Sequence, residues 1–203
     1  AQLPDARFSL LQYYLQAPVL VGGGMDKARE LADESAKLLP QDGPLFQALV
    51  ALADKKWGEA ERLTLSVKAN PDSDTTERQN GMLQGLGFGL LQDKKPAESQ
   101  RVFALLQLRD PKSATAAFGS GRAAQEQGQA AQAIGHYERA IALKPAAYHH
   151  FRMAQCHQTA GNPTAALAAY ERALAFKPPL NDKQRSEATE QVAELKAAAK
   201  GAV

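Results

Sequence analysis

A nine-residue segment of this chain occurs twice, and this repetition constrains the fold more than any other feature of the sequence. Residues 137–145 read YERAIALKP and residues 170–178 read YERALAFKP, at an offset of 33 residues. Weaker copies end at earlier prolines, so that prolines close the segments at positions 40, 71, 111, 145 and 178. A period of this length predicts small supersecondary units that bury their apolar faces by stacking on their neighbours.

Each repeat reads as two helices joined by a short turn. In residues 114–146, Ala117, Gly121 and Ala124 recur at three- and four-residue spacing, which is typical of one face of a helix. A glycine-containing turn interrupts this pattern, and a second apolar stripe then runs to Pro145. Composition agrees, because the chain is rich in Ala and poor in the β-branched residues that favour strands. The sequence therefore predicts an all-α fold.

The matched positions resemble those of the tetratricopeptide repeat, a helix-turn-helix unit of about 34 residues. All five units have a closing proline, and the last three also have a small residue in the first helix and an aromatic residue in the second. The small residues are Gly87, Gly121 and Ala154, and the aromatic residues are Phe103, Tyr137 and Tyr170. The resemblance implies a right-handed α-solenoid of about five helical hairpins.

We expect one solenoid over residues 1–203, ending in a helix with a polar outer face. An end repeat needs such a helix because its outer side meets water. The expected repeats cover about residues 5–40, 41–72, 73–113, 114–146 and 147–180, and the capping helix covers residues 181–200.

Charge and apolar patterning argue against several classes of function. With 24 Lys+Arg against 22 Asp+Glu, the net charge of +2 gives no electrostatic case for nucleic acid. Every apolar run is shorter than the length of about 18 residues that a membrane-spanning helix needs. No Ser-His-Asp or Cys-His order is present that the repeats would bring together, so we expect neither catalysis nor a cofactor.

The first residues of the chain indicate export. The sequence begins with Ala1 rather than Met, as after removal of a signal peptide or in a piece of a longer protein. The stretch from Tyr13 through residues 22–24 to Asp26 resembles a segment of exported bacterial repeat proteins. The resemblance implies a periplasmic or exported location, with the cytoplasm as the alternative.

In tetratricopeptide repeats the first helices line a concave groove that binds peptides or helices of partner proteins. The resemblance therefore implies a scaffold or adaptor for protein–protein interaction. Arg and aromatic residues dominate interface energetics, and here they suit a segment with acidic and apolar side chains. The expected groove residues are Phe88, Arg122, Gln125, Glu126, Tyr148, Phe151, Arg152 and Gln155.

Two other functions stay open from the sequence alone. One is periplasmic copper or zinc handling, because imidazole and sulfur ligands suit these metals. Its candidate ligands share one predicted helix, although core packing explains them more simply: His149, His150, Met153, Cys156 and His157. The other is that the chain is the binding module of a larger enzyme or secretion component.

Two lysine pairs fall at turns between the helices of their repeats. Stacking would place Lys55, Lys56, Lys94 and Lys95 along one edge. Such an edge would suit an acidic partner or lipid head groups, whereas the simpler interpretation is that these lysines solubilise exposed turns.

Overall fold

The computed structural model describes residues 4–68 and 74–201, and these residues form helices joined by short turns. The described part of the chain contains no strand, which confirms the all-α prediction. Ala1 and Pro71, which the sequence interpretation used, lie outside it. The helices are α1 (Pro4–Gln16), α2 (Met25–Leu38), α3 (Gly43–Ala53), α4 (Trp57–Ser66), α5 (Asp74–Gln92), α6 (Pro96–Arg109), α7 (Ala114–Glu126), α8 (Ala130–Leu143), α9 (Ala147–Thr159), α10 (Pro163–Ala175) and α11 (Asp182–Gly201).

The helices follow the expected order of five pairs and a last single helix, and they fall into two compact units. Unit 1 covers residues 1–93 and unit 2 covers residues 94–203. The boundary lies between α5 and α6, the two helices of the third expected repeat. The single continuous solenoid stays a prediction. None of the described helices combines the length and apolar character needed to cross a membrane.

Unit 1 is held by an aromatic contact and by a buried amide. The rings of Phe8 on α1 and Phe46 on α3 stack with their centroids 3.9 Å apart. Gln79 on α5 is only 1% exposed, and its amide donates to the carbonyls of Thr64 at 2.8 Å and Val67 at 2.7 Å. These bonds fasten α5 to the end of α4, because carbonyls there have no partner within their own helix.

Unit 2 packs large rings against small residues, as the repeat pattern predicts. Phe103, Tyr137 and Tyr170 are buried in the second helices of their pairs. A Cβ atom added to Gly119 would lie 2.3 Å from the Phe103 ring, and one added to Gly121 would lie 2.6 Å from the Tyr137 ring. Real Cβ atoms do not approach a ring so closely. The Phe103 and Tyr137 rings can therefore pack against α7 only because positions 119 and 121 are glycines.

Three turns end their first helices with the same capping motif. A residue with positive φ follows α3, α7 and α9, and its N–H and the next N–H bond back to carbonyls of the last turn. The residues with positive φ are Lys55 (57°), Gly128 (74°) and Gly161 (74°).

Lys55 and Lys56 lie in the first of these turns, Lys94 and Lys95 lie in the turn after α5, and both pairs take part in local ion pairs. Lys94 also has a positive φ, of 59°. Within unit 1 the Nζ atom of Lys55 lies 2.8 Å from an Asp93 oxygen, and that of Lys56 lies 3.6 Å from Asp54. Lys95 in unit 2 lies 3.7 Å from Glu98. The pairs occur in different units, and their alignment along one edge stays a prediction.

Candidate functional site

Side chains from three helices of unit 2 form a hydrogen-bonded row, which we call the Gln ladder: Gln125, Gln155 and Glu187. The Gln125 amide donates to Gln155 at 3.4 Å, and the Gln155 amide donates to the Glu187 carboxylate at 2.7 Å. The Tyr137 hydroxyl donates to Gln125 at 2.6 Å from the second helix α8. The row therefore links α7, α9 and α11 and orients their side chains.

A second row has the same construction one repeat later. The Tyr170 hydroxyl donates to Gln158 at 2.7 Å, and the Gln158 amide donates to Gln191 on α11. Burial raises the pKa of Tyr170 to about 12, so its hydroxyl keeps the donated proton at neutral pH. Gln158, Glu187 and Gln191 were not among the site residues expected from the sequence. The available signal was the spacing of 12 residues from Gln to Tyr in both repeats.

Arg152 on α9 is a partly buried guanidinium with few internal partners. Its hydrogen bond within the described residues joins Nη1 to Gln155 at 3.1 Å. Burial, followed by the positive charge of Arg122, lowers the pKa of Arg152, whereas Tyr137, Glu187 and Glu126 act in the opposite direction. Arg122 is paired at 2.9 Å with Glu126, one turn further along α7. Since a guanidinium carries five donors, Arg152 keeps donors available for an incoming carboxylate.

An aromatic surface lies beside this guanidinium. Tyr148 precedes Arg152 by one helical turn and is 44% exposed. The ring of Phe118 on α7 meets the Tyr148 ring edge-on, with the centroids 5.0 Å apart. Phe118 was not among the site residues expected from the sequence. Together these residues place an exposed apolar surface next to a cation.

The expected groove residues therefore fall into three groups. Arg122, Gln125, Glu126, Tyr148, Arg152 and Gln155 share the face formed by α7 and α9, which we call the first-helix face of unit 2. Phe151 is only 2% exposed and its ring packs on Tyr170, with the centroids 5.9 Å apart. The structure thus corrects Phe151 from a surface residue to a core residue. Phe88 is partly buried on α5 and belongs to unit 1.

The metal hypothesis finds no support in the structure. The described residues include no group of three His, Cys, Asp or Glu side chains able to hold a metal ion. His149 is 1% exposed beside Phe118, whereas His150 lies near Phe176, with the ring centroids 6.0 Å apart. Met153 and Cys156 are buried, and His157 is partly buried. Burial raises the pKa of the Cys156 thiol to about 11, which suppresses the thiolate that metals bind.

Comparison with known proteins supports the repeat assignment. The tetratricopeptide repeat family model matches residues 89–148 and, in a second overlapping match, residues 118–181. No curated protein matches the chain by sequence.

Several solved structures share the fold. One is SycD of Yersinia enterocolitica, a type III secretion chaperone solved with a peptide of the translocator YopD. It is 22% identical to this chain, and the TM-score is 0.57 over 64% of this chain and 98% of SycD. PcrH of Pseudomonas aeruginosa, solved with the chaperone-binding region of PopD, is 23% identical, with a TM-score of 0.56 over 64% and 98%. YrrB, a TPR protein with an unusual peptide-binding site, is 14% identical, with a TM-score of 0.61 over 82% and 84%.

Proposed function

We propose that this chain, a tetratricopeptide-repeat protein by the match over residues 89–181, is a non-catalytic adaptor that binds a peptide segment of a partner protein. The segment lies on the first-helix face of unit 2 and presents an acidic and an apolar side chain. Its carboxylate pairs with Arg152, and its apolar side chain packs on Tyr148 and Phe118.

The observation that carries this proposal is the incomplete pairing of Arg152. A partly buried guanidinium loses water, and within the described residues Arg152 makes one hydrogen bond, to Gln155, while the carboxylates of Glu187 and Glu126 attract its charge without a direct ion pair. A ligand carboxylate would supply a charge-assisted bond in a partly desolvated place, where such bonds are strongest. Arg122 adds positive charge nearby, although Glu126 already pairs with it.

The Gln ladder supports the proposal because it holds the face in one arrangement before a ligand arrives. Gln155 is the partner of Arg152 and is itself held by Glu187 on α11. A preformed surface loses less conformational entropy on binding than a mobile one. SycD in complex with a YopD peptide, PcrH in complex with the chaperone-binding region of PopD, and the peptide-binding site of YrrB agree with this kind of ligand.

The test is selection of peptides from a phage-displayed random library on the full chain, followed by affinity measurements with synthetic copies. We expect the selected peptides to be enriched in Asp or Glu next to Leu, Phe or Tyr. Arg152→Gln should weaken their binding by about tenfold or more, since a lost charge-assisted bond costs about 1.5–3 kcal/mol. Tyr148→Ala should also weaken it.

Arg172→Gln is the matched control, because Arg172 is an exposed arginine on the second helix α10 of the same unit. It should leave peptide affinity unchanged. Equal losses for the two arginine variants, or selection of no peptide at all, would contradict the proposal. The periplasmic location and the membership of a larger enzyme or secretion component stay predictions.

A further inference from the structure

The turn between α1 and α2 exposes three consecutive apolar side chains. Val19, Leu20 and Val21 form a short 3-10 helix and are 77%, 99% and 61% exposed. Single exposed apolar residues are common on protein surfaces, but a contiguous set at the tip of a turn is not explained by chance exposure. We call this segment the apolar tip.

The apolar tip is held in place by its own backbone. The N–H groups of Val21 and Gly23 donate to the Pro18 carbonyl at 3.0 and 3.1 Å, and that of Gly22 donates to Val19 at 3.0 Å. Gly23 has no room for a side chain, because an added Cβ atom would lie 2.0 Å from the Ala17 carbonyl oxygen. The turn is therefore built to one shape with its side chains pointing outward.

Two carbonyls at the base of the tip are covered by side chains of the flanking helices. The Tyr13 hydroxyl donates to the Val21 carbonyl, and the Lys27 ammonium donates to the Gly22 carbonyl at 3.0 Å. A carbonyl with an internal partner loses less when it leaves water than an unpaired one. The tip thus combines exposed apolar side chains with two backbone carbonyls that already accept hydrogen bonds.

The residues around the base are of the types that occupy the boundary between water and lipid. Tyr13 is 46% exposed, the rings of Tyr13 and Tyr14 lie 6.0 Å apart, and the Lys27 ammonium lies 5.9 Å from the Tyr14 ring centroid. Tyr side chains have an apolar ring and a polar end, and Lys extends its charge toward water. The base of the tip therefore carries side chains of the types found at head-group level.

We propose that the apolar tip is a peripheral membrane anchor. Val19, Leu20 and Val21 enter the boundary between head groups and acyl chains, while Tyr13 and Lys27 remain at head-group level. A lipid surface accepts a protruding tip without a complementary pocket, whereas a protein partner would have to supply one. The residues of this anchor lie in unit 1, whereas the proposed peptide site lies in unit 2.

Nearby charges determine how the anchor should depend on lipid type. Asp26, next to Lys27 in sequence, is fully exposed and lies 3.5 Å from Arg29, which also pairs with Asp54 at 3.0 Å. Positive charge at the base is therefore largely balanced. Binding should then follow apolar burial, and it should occur on neutral lipid with only a small gain from anionic lipid.

The direct test uses tryptophan as a probe of depth. In the full-length Leu20→Trp variant, phosphatidylcholine vesicles should shift the tryptophan emission maximum to shorter wavelength. Brominated lipid should quench this emission. Leu108→Trp is the matched control, because Leu108 is 81% exposed but lies in the second helix α6 of unit 2. It should show neither effect. The unsubstituted chain supplies the background from Trp57.

The binding test is flotation with phosphatidylcholine vesicles, with and without phosphatidylglycerol. The wild-type chain should float on both, and the triple variant Val19→Ser, Leu20→Ser, Val21→Ser should lose at least about tenfold in partitioning. Leu108→Ser should float like wild type, and circular dichroism checks that each variant is folded. No flotation of wild type, or equal loss in Leu108→Ser, would overturn the proposal and point to a protein pocket as the partner of the tip.

Discussion

At the scale of single residues, the close contact of glycine with an aromatic ring carries much of the packing in unit 2. An added Cβ atom at Gly121 would lie 2.6 Å from the Tyr137 ring, which is fully buried. Gly121→Ala should therefore destabilise the protein by about 1–3 kcal/mol, because overpacking outweighs the better helix propensity of Ala. Chemical denaturation followed by circular dichroism measures this change.

Gly135→Ala on α8 is the matched control for that substitution. No neighbouring atom lies within 4 Å of a Cβ atom added at Gly135, which is an exposed helical position. The control should stabilise the protein by about 0.5–1 kcal/mol, the usual difference between Gly and Ala in a helix. If both substitutions changed stability in the same direction, the packing argument would be wrong.

His149 makes the stability of the protein depend on pH. It is 1% exposed, and neither ring nitrogen makes a well-formed hydrogen bond within the described residues, although an interaction with the Lys144 backbone opposes the effect of burial. Burial lowers the pKa of His149 from 6.5 to about 4. Between these values the unfolded chain binds the proton and the folded chain does not, so stability falls as pH drops from about 6.5 to 4, by up to about 3 kcal/mol.

His149→Gln isolates this effect, because the other titrating groups are the same in both proteins. The free energy of unfolding of wild type minus that of the variant should be constant above pH 7 and should fall toward pH 4. Urea denaturation at a series of pH values measures both curves. Parallel curves over the whole range would show that His149 does not titrate as its burial requires.

At the scale of helices and turns, a non-glycine residue with a positive φ after the first helix of a repeat is a local source of backbone strain. Lys94 adopts a φ of 59°, whereas Gly128 and Gly161 occupy the corresponding place in the next two repeats. A side chain with a Cβ atom costs about 1–2 kcal/mol in this conformation. Lys94→Gly should raise the free energy of unfolding by about 1 kcal/mol or slightly less, because Gly also gains entropy in the unfolded chain.

Lys95→Gly is the control for the turn, since Lys95 has a φ of −114° that any residue can adopt. It should leave stability unchanged or lower it by up to about 1 kcal/mol through added backbone entropy. Thermal denaturation of both variants separates the two positions. A lower melting temperature for Lys94→Gly than for Lys95→Gly would refute the role of positive φ.

The helices also show how far local patterns extend. Proline, glycine and the spacing of small residues predicted every helical pair that the structure contains in its described part, because helix starts and stops depend on neighbours in sequence. The same reasoning assigned Phe151 to the surface. Its spacing fits either face, and only the position of Tyr170 on α10 shows that the ring is buried.

At the scale of the whole molecule, repeat proteins should respond to a mutation mainly in the neighbouring repeat. Ala188 on α11 is fully buried, and α11 packs on α10. Ala188→Glu would bury a charge there and should reduce hydrogen-exchange protection in α9 and α10 more than in α7 and α8. Hydrogen exchange with mass spectrometry resolves these segments.

The control for this experiment is Ala193→Glu, an exposed position on the same helix. It should leave protection unchanged throughout unit 2. A uniform loss of protection over α6–α11 in Ala188→Glu would mean that unit 2 opens as one block, contrary to the nearest-neighbour behaviour expected of repeats.

The sequence by itself determined the fold class, the paired helices and the small–large packing positions, because each of these depends on residues within one repeat. It also supplied the residues that we propose for the first-helix face, apart from Phe118. The tertiary structure decided which of those side chains meet. The bond from Gln155 to Glu187 joins residues 32 positions apart, and the outward direction of Leu20 depends on the backbone of a tight turn. Such contacts follow from side-chain directions in the packed molecule, which spacing along the chain does not specify.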